Sequence, residues 1–550
     1  MEILNIENLT FTYPLCSSPA LDSVSFSVEQ GDFVVVCGAT GSGKSTLLRL
    51  LKRELSPLGE KNGRVLYKGM PIDELSEAES ARSVGFVMQN AAQQVVTDKV
   101  WHELAFGLES MGVPQNIIAA RVAEMASYFG IESWYEKSVS ELSGGQTQLL
   151  NLASVMVMSP DILILDEPTA QLDPIAASDF IATLKKLNND LSLTVIIVEH
   201  RLEELIPICD RLMVMEKGRL TDNGAPGEVI SRLGDRRELL CAMPAASRLY
   251  HALDAEEKNI SCPLTVKEGR RFIESVSDNS VRSLVREEYT HSQEPALEFR
   301  NVYFRYDREQ SDVLSDLDLT VYKNEIFCIL GGNGSGKTTS LGVAAALLRP
   351  YSGSVRIFGK KLRDYKNQSL YRRCLSLLPQ DVQTVFLKNT VREELADAGA
   401  DISSLPFDLS PLMDKHPYDL SGGEQQLTAL AKVLATKPRL LLMDEPTKGL
   451  DAGRKLVIID ILRRLKESGV TVVIVTHDVE FTAMCADRCA LFFRGGIVSE
   501  GVPAEFFSEN SFYTTAASRM SKGYFDRAVT VEDIAELCRK NTRIKGGSQC

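Results

Sequence analysis

The chain contains one set of motifs twice in the same order, and this duplication limits its possible folds more than any other feature. A glycine-rich loop reads GATGSGKS at residues 38–45 and GGNGSGKT at residues 331–338. Each copy is followed by LSGGQ or LSGGE, then by four apolar residues and Asp-Glu, and then by an apolar run that ends near a histidine. We therefore expect two tandem copies of one domain.

Charge and composition exclude several classes of protein. The 550 residues include 61 Lys and Arg against 74 Asp and Glu, so the net charge is −13. Such an acidic chain argues against a broad basic face for nucleic acid. We expect no signal peptide, because residues 1–7 form neither a basic region nor an apolar one. We also expect no membrane span, because the uncharged stretch 142–160 contains many polar side chains. The eleven scattered cysteines indicate reduced thiols without a zinc site.

The two glycine-rich loops, here called the phosphate loops, carry the strongest chemical signal. Apolar residues 33–37 before the first loop predict a strand, and leucines within residues 47–51 predict a helix after it. In this pattern backbone N–H groups converge on phosphate, the lysine reaches the β- and γ-phosphates, and the next hydroxyl binds Mg²⁺. The candidate residues are Gly38, Gly41, Ser42, Gly43, Lys44, Ser45 and Thr46 in the first half and Gly331, Gly334, Ser335, Gly336, Lys337, Thr338 and Thr339 in the second.

An acidic pair follows a buried-strand pattern in each half, at residues 162–167 and 440–445. Asp166 and Asp444 would hold the metal at a strand end. Glu167 and Glu445 would orient and deprotonate the attacking water. Acidic residues at a strand end are common by themselves, but their position downstream of a phosphate loop favours this catalytic interpretation.

The LSGGQ and LSGGE segments, here called the signatures, place a serine and two glycines at the start of a predicted helix. Such a helix start binds anions, yet each half already has a phosphate loop. With these motifs the sequence resembles the ATP-binding cassette (ABC) ATPases over nearly its whole length, twice. The resemblance implies an α/β fold with two tandem P-loop nucleotide-binding domains. Each would have a RecA-like core, a helical subdomain and a C-terminal helical extension.

In that family two cassettes pack head to tail, and each signature closes the ATP site of the opposite cassette. By resemblance Lys44 would share a nucleotide with residues 421–423, and Lys337 with residues 143–145. The signature residues implied to bind ATP are Ser143, Gly144, Gly145, Gln146, Ser421, Gly422, Gly423 and Glu424. Since both halves keep lysine, signature, glutamate and histidine, we expect two competent hydrolytic sites.

Three further pairs of residues match the family pattern. Tyr13 and Tyr306 each lie 25 residues before the first glycine of a phosphate loop and match the family's adenine-stacking aromatic. The alternative is that each tyrosine is simply part of an edge strand. His200 and His477 match the switch histidine near the γ-phosphate. Gln89 and Gln380 match the glutamine that links Mg²⁺ and water to a transport partner. The implied metal ligands are Ser45, Gln89, Asp166, Thr338, Gln380 and Asp444.

The repeat and the segments that follow each copy divide the chain into four parts. Residues 265–268 and 530–533 each have the spacing of a helix-capping box downstream of the histidine of their half, and residues 291–295 read as a polar linker ending in proline. We expect the first ATPase domain at residues 1–240 and a helical extension with linker at 241–294. The second ATPase domain is expected at 295–515 and a C-terminal helical extension at 516–550.

Residues 89–107 resemble the corresponding segment of energy-coupling factor (ECF) transporter ATPases. That resemblance implies a peripheral protein on the cytoplasmic face of the membrane, with a membrane T component and a substrate-binding S component as partners. The implied cargo is a vitamin, a vitamin precursor or a transition metal. The second half departs from the pattern, because residues 380–390 lack the paired glutamines and its helical subdomain is shorter. We therefore expect the halves to contact different parts of an asymmetric partner.

The competing interpretation is a soluble tandem-cassette ATPase that acts on the ribosome or on nucleic acid. Residues 241–295 contain 7 Lys or Arg and 9 Asp or Glu, which argues against a basic RNA-binding linker. A structural or DNA-repair ATPase would be expected to carry a long coiled-coil insertion, and the sequence has none.

Overall fold

The structure is a computed structural model that describes residues 1–14, 16–234, 236–255, 260–278, 280–286, 289–366, 369–402, 405–511 and 513–541. The chain forms two compact units. The first consists of residues 1–247 and 259–265, and the second of residues 248–258 and 266–550. Each unit contains one copy of the repeat, and the predicted α/β class with two copies of one domain is confirmed.

In the described part of the first unit, ten strands form two sheets. An antiparallel sheet has the order β2-β1-β4-β5, and a six-stranded sheet has the order β10-β9-β3-β8-β7-β6. The second sheet is parallel except at its β10 edge. The strands are β1 (Glu2–Thr12), β2 (Leu21–Glu29), β3 (Phe33–Cys37), β4 (Glu60–Tyr67), β5 (Met70–Pro71), β6 (Val84–Val87), β7 (Ile162–Asp166), β8 (Thr194–Val198), β9 (Arg211–Glu216) and β10 (Arg219–Gly224).

Helices cover the parallel sheet and form a separate helical subdomain between β6 and β7. The helices of this half are α1 (Lys44–Leu50), α2 (Glu77–Ser83), α3 (Ala91–Gln94), α4 (Val100–Ser110), α5 (Gln115–Tyr128), α6 (Gly144–Met156), α7 (Pro174–Leu191), α8 (Leu202–Leu205), α9 (Pro226–Ser231), α10 (Arg237–Leu240), α11 (Ala245–Ala252) and α12 (Val266–Val276). Every residue of β3, β7 and β8 is buried, as expected for central parallel strands with both faces covered.

The second unit repeats the same two sheets, in the orders β12-β11-β14-β15 and β16-β17-β18-β13-β19-β20. Its strands are β11 (Pro295–Phe304), β12 (Leu314–Tyr322), β13 (Ile326–Leu330), β14 (Ser352–Ile357), β15 (Lys360–Lys361), β16 (Leu375–Leu378), β17 (Leu440–Asp444), β18 (Thr471–Thr476), β19 (Arg488–Phe493) and β20 (Gly496–Gly501). Its helices are α13 (Lys337–Ala344), α14 (Val391–Asp397), α15 (Gly422–Leu434), α16 (Ala452–Glu467), α17 (Val479–Cys485), α18 (Pro503–Glu509), α19 (Ala516–Ser521) and α20 (Val531–Lys540).

The helical subdomains differ, as the shorter segment of the second half predicts. The first has the 14-residue helix α5 between α4 and α6. In the second, α14 is followed within the described residues only by short 3-10 turns before α15. The shared part positions each signature, and the extra helix gives the first half a different outer surface.

From helix α12 onward, the C-terminal extension of the first half is part of the second unit. Helix α12 packs against α19, and the Arg270 guanidinium donates to the carbonyl of Arg519 at 3.1 Å. The side chain of Asn541 accepts from the Val281 amide at 2.6 Å and donates to the Val281 carbonyl at 2.7 Å. The boundaries expected at 240, 294 and 515 stay predictions, and residues 542–550 lie outside the described part. Among the described residues, no helix has both the length and the apolarity that crossing a bilayer requires.

Candidate nucleotide-binding and hydrolytic sites

The candidate residues follow the carboxyl ends of three neighbouring parallel strands. In the first unit β8 lies between β3 and β7, with Val198 opposite both Val36 and Asp166. The phosphate loop follows β3, Glu167 follows β7 and His200 lies just beyond β8. Because these ends meet at one edge of the sheet, segments distant in sequence converge on a single site.

At Gly43, the phosphate loop has a backbone conformation that only glycine fits. Gly43 precedes α1 with φ +98°, and a Cβ there would lie 2.5 Å from the Ala20 carbonyl oxygen. The ammonium of Lys44 donates to the carbonyls of Gly38 at 2.8 Å and Ala39 at 2.9 Å. The lysine is therefore held across the mouth of the loop, where it can move to a phosphate oxygen.

The second phosphate loop repeats this arrangement. Lys337 donates to the carbonyls of Gly331 and Gly332, both at 2.8 Å. Within the described ranges, the buried hydroxyls of Ser42 and Ser335 have no hydrogen-bond partner. A buried hydroxyl without a partner costs free energy, so these two hydroxyls are suited to donate hydrogen bonds to an anion bound in each loop.

The predicted metal ligands of each half lie together. Ser45 Oγ donates to Asp166 Oδ1 at 2.9 Å, and Thr338 Oγ1 donates to Asp444 Oδ1 at 3.2 Å. Hydroxyl and carboxylate oxygens are the ligands that Mg²⁺ prefers. Burial raises the pKa of Asp166, and it raises the pKa of Asp444 to about 6, with a smaller contribution from the Glu445 carboxylate. A divalent cation would stabilise the ionised form of both groups, so the residues fit this metal.

The candidate catalytic carboxylate of the first half is bound on both oxygens. Gln89 Nε2 donates to Glu167 Oε2 at 2.7 Å, and His200 Nε2 lies 2.9 Å from Glu167 Oε1. The backbone of Glu167 has φ +47°, an uncommon conformation for a non-glycine residue that occurs at functional sites. Three residues predicted separately from the sequence thus form one cluster.

The corresponding cluster of the second half is arranged differently. Glu445 has the same unusual backbone, with φ +49°, but it faces Nδ1 of His477 at 2.9 Å instead of Nε2. In the described part of the chain, Gln380 donates no hydrogen bond to Glu445, and Glu445 Oε2 has no partner with hydrogen-bond geometry. Both halves therefore bring the glutamate and the histidine together, but through different imidazole nitrogens, and among the described residues the glutamine donates to the glutamate in the first half and not in the second.

Each candidate adenine-stacking tyrosine lies beside the helix that follows its phosphate loop. The hydroxyl of Tyr13 is 3.0 Å from Thr46 Oγ1, and its ring packs edge-on against Phe11 with centroids 5.0 Å apart. In the second half the hydroxyl of Tyr306 lies 3.1 Å from Thr339 Oγ1. This placement agrees with the predicted role, and stacking on adenine stays a prediction.

Each signature begins a helix through a capping box. Ser143 and Gln146 exchange hydrogen bonds of 2.9 and 3.3 Å at the start of α6. At the start of α15 the Ser421 amide donates to Glu424 at 2.8 Å. The Arg454 guanidinium also donates to Ser421 Oγ at 3.1 Å, an interaction without a counterpart in the described part of the first unit. Which phosphate loop each signature serves stays a prediction.

Sequence reasoning missed a buried carboxylate next to His200, the candidate switch histidine. Glu199 is 2% exposed, and its oxygens accept the backbone N–H groups of Thr169 and His200. The available signal was a difference between the halves, because the residue before His477 is Thr476. Burial raises the pKa of Glu199.

Comparisons with known proteins agree with the duplicated organisation. A family model described as ABC transporter matches residues 21–170 and 314–448. A Bacillus cereus protein that carries the name ABC transporter ATP-binding protein is 39% identical, with 97% of each chain covered. The Bacillus subtilis protein YkoD, named as an HMP/thiamine import ATP-binding protein, is 29% identical, with 93% of each chain covered.

Two solved structures extend the comparison. The archaeal ribosome recycling factor aABCE1, in complex with the stalk protein aP1, aligns with a TM-score of 0.59 over 91% of each chain at 19% identity. This likeness shows a shared fold. CbiO1 from Clostridium perfringens, part of the ABC transporter complex cbiONQ, is 32% identical, with a TM-score of 0.39 and coverage of 42% of this chain and 91% of its own.

Proposed function

The chain belongs to the ABC transporter family, and on that premise we propose that it is the energy-coupling ATPase of an ECF-type importer. It is an ATP-binding protein with ATPase activity. The proposed role is to power uptake of a vitamin, a vitamin precursor or a metal through separate T and S components, from the cytoplasmic face of the membrane. The observation that carries this proposal is the likeness, over 93% of the chain, to a relative named for HMP/thiamine import.

The proposed hydrolytic mechanism assigns a task to each cluster. The phosphate loops and their lysines bind the β- and γ-phosphates, and Ser45 with Asp166, like Thr338 with Asp444, would hold Mg²⁺. When bound, Mg²⁺ neutralises charge on the phosphates. Glu167 and Glu445 orient the attacking water and accept its proton.

We propose that each nucleotide binds between a phosphate loop and the signature of the opposite half. ATP then closes the two halves and hydrolysis releases them. Release of the Gln89 contact frees Oε2 of Glu167 for water, while His200 continues to hold Oε1. Since Gln89 lies directly before the helical subdomain, this rearrangement can pass to a partner bound there.

Matching exposed apolar side chains in the two helical subdomains support a partner-binding surface. Val96 and Leu387 each lie seven residues after the glutamine of their half, and they are 63% and 77% exposed. In the first half the buried carboxylate of Glu103 accepts the amides of Val96 at 3.1 Å and Thr97 at 2.8 Å. Glu394 accepts two successive amides in the same way in the second half. Each loop is thus held rigidly with its apolar side chain in solvent, where a protein partner can cover it.

The neighbouring surfaces differ in a way that suits an asymmetric partner. Trp101 in the first turn of α4 is 38% exposed and stacks on His102 with centroids 5.2 Å apart. The corresponding residue of the second half is Arg392, whose guanidinium pairs with Asp414 at 2.9 Å. An aromatic surface on one half and a charged surface on the other would select different segments of a membrane protein.

A pull-down of the full-length chain from membranes of its host tests the proposal. We expect a membrane protein to co-purify together with a subunit that holds a vitamin, a vitamin precursor or a metal. The double substitution Val96→Ser with Trp101→Ser should abolish this co-purification and leave the basal ATPase unchanged. The matched control is Leu191→Ser, an exposed apolar residue at the end of α7. Co-purification with ribosomes and without any membrane protein would contradict the importer and support the soluble alternative.

A further inference from the structure

Glu199 is a buried carboxylate beside the candidate hydrolytic site of the first half, and the proposed mechanism gives it no task. Only 2% of the residue is exposed. Buried carboxylates are costly unless hydrogen bonds compensate them, so both oxygens need donors. Oε1 accepts the Thr169 amide at 2.7 Å, and Oε2 accepts the His200 amide at 3.0 Å.

These two hydrogen bonds join the loops that carry the hydrolytic residues. Thr169 lies two residues after Glu167, on the loop that follows β7, whereas His200 lies on the loop that follows β8. The Glu167 amide is also bonded to the Val198 carbonyl at 2.9 Å. One side chain therefore fixes the distance between the backbone near the catalytic carboxylate and the backbone of the switch histidine.

Among the described residues of the second half, no single side chain joins the counterparts of Thr169 and His200 in this way. Thr476 takes the position of Glu199, and its hydroxyl accepts the amide of Asp478 at 3.1 Å. In the part of the chain that the structure describes, no side chain accepts the Thr447 amide, the counterpart of Thr169. The ring orientation also differs between the halves, since His200 faces its glutamate with Nε2 and His477 with Nδ1.

We propose that Glu199 is a positioning residue for ATP hydrolysis in the first half, acting through His200. By holding the His200 and Thr169 backbones together it keeps the imidazole Nε2 directed at Glu167. Small displacements of reacting groups have large effects on rate, so loss of this bridge slows the chemical step. The two sites are then functionally unequal, because the Glu445 site works without the bridge. This inference rests on the proposed catalytic roles of Glu167 and His200.

Glu199→Thr, which introduces the residue of the second half, tests the proposal in the purified full-length chain. In a Glu445→Gln background, the remaining hydrolysis depends on Glu167. There we expect Glu199→Thr to lower the single-turnover rate about tenfold, with the affinity for ATP changed less than about twofold because the phosphate loop is untouched. In a Glu167→Gln background, the same substitution should leave the remaining rate unchanged.

Glu199→Gln is the second variant in case Glu199→Thr does not fold. It keeps the shape and one acceptor oxygen but loses the other, so the rate should fall by an intermediate factor. An unchanged rate in the Glu445→Gln background, or an equal fall in both backgrounds together with a lower unfolding midpoint, would overturn the positioning role alone. Wild-type hydrolysis by the Glu167→Gln, Glu445→Gln double variant would overturn the proposed catalytic roles and this inference with them.

Discussion

The side-chain amide of Gln89 donates a 2.7 Å hydrogen bond to Oε2 of Glu167. Gln89 leads from β6 into the loop that exposes Val96, whereas Glu167 directly follows β7. One hydrogen bond thus connects the surface proposed to bind a membrane partner with the carboxylate proposed to activate water. It gives the proposed coupling between transport and hydrolysis a specific structural basis in the first half.

Replacing both candidate general bases should stop hydrolysis without preventing ATP binding. We expect the Glu167→Gln, Glu445→Gln double variant to lose at least about 100-fold in steady-state ATPase rate, the usual contribution of a general base. It should accumulate an ATP-loaded form, since neither phosphate loop is altered. Phosphate release and retention of labelled ATP on a desalting column measure the two properties.

The single variants provide the control for this experiment. Glu167→Gln and Glu445→Gln should each leave a measurable but reduced rate, because each half keeps its own lysine, metal ligands and histidine. A double variant with the wild-type rate would show that neither glutamate is the base.

The tyrosine beside each phosphate loop should contribute to ATP affinity through its ring and not through its hydroxyl. Tyr13→Ala should weaken ATP binding by about three- to tenfold, the range expected for one aromatic stack. Tyr13→Phe keeps the ring and loses only the 3.0 Å contact with Thr46, so its affinity should stay near wild type. Equilibrium binding of a fluorescent ATP analogue distinguishes the two, and equal losses would contradict stacking.

The ion pair of Lys455 with Asp478, next to the candidate switch histidine His477, should stabilise the second unit at neutral pH. Burial by itself would raise the pKa of Asp478, but the Lys455 ammonium at 2.6 Å lowers it to about 2. Because this value lies below the ordinary 3.8, the stabilisation is complete above about pH 5 and is lost as the pH falls through about 2. Lys455→Met should therefore cost about 2 kcal/mol at pH 7, and the difference should shrink toward pH 2.

Calorimetric unfolding across this pH range measures the effect. The control is Lys540→Met, whose pair with Glu536 has a similar length of 2.7 Å but is exposed, so its cost should stay below about 1 kcal/mol. An equal cost for both substitutions, or a cost for Lys455→Met that is independent of pH, would contradict the assignment.

Much of the fold could be predicted because the motifs are local and repeated. Strand, glycine loop and helix follow one another within about twenty residues, and the acidic pairs and histidines end apolar runs that become central strands. The parallel sheet then brings Ser45 to Asp166 and His200 to Glu167, although each pair is far apart in sequence.

The remainder depended on tertiary contacts that no local pattern encodes. The sequence does not reveal that α12 packs with α19 in the second unit, since an amphipathic helix can cover any apolar surface. Nor does it reveal that Glu199 spans two loops or that Arg454 reaches Ser421, because side-chain reach follows from the relative placement of elements. Direct comparison of the two halves was the signal that could have found both residues.

The head-to-tail arrangement is the central claim, and a structure of the Glu167→Gln, Glu445→Gln chain with ATP and Mg²⁺ tests it most directly. We predict that the nucleotide on Lys44 contacts Ser421 and that the nucleotide on Lys337 contacts Ser143. A nucleotide closed by the signature of its own half, or bound without any signature, would contradict the claim.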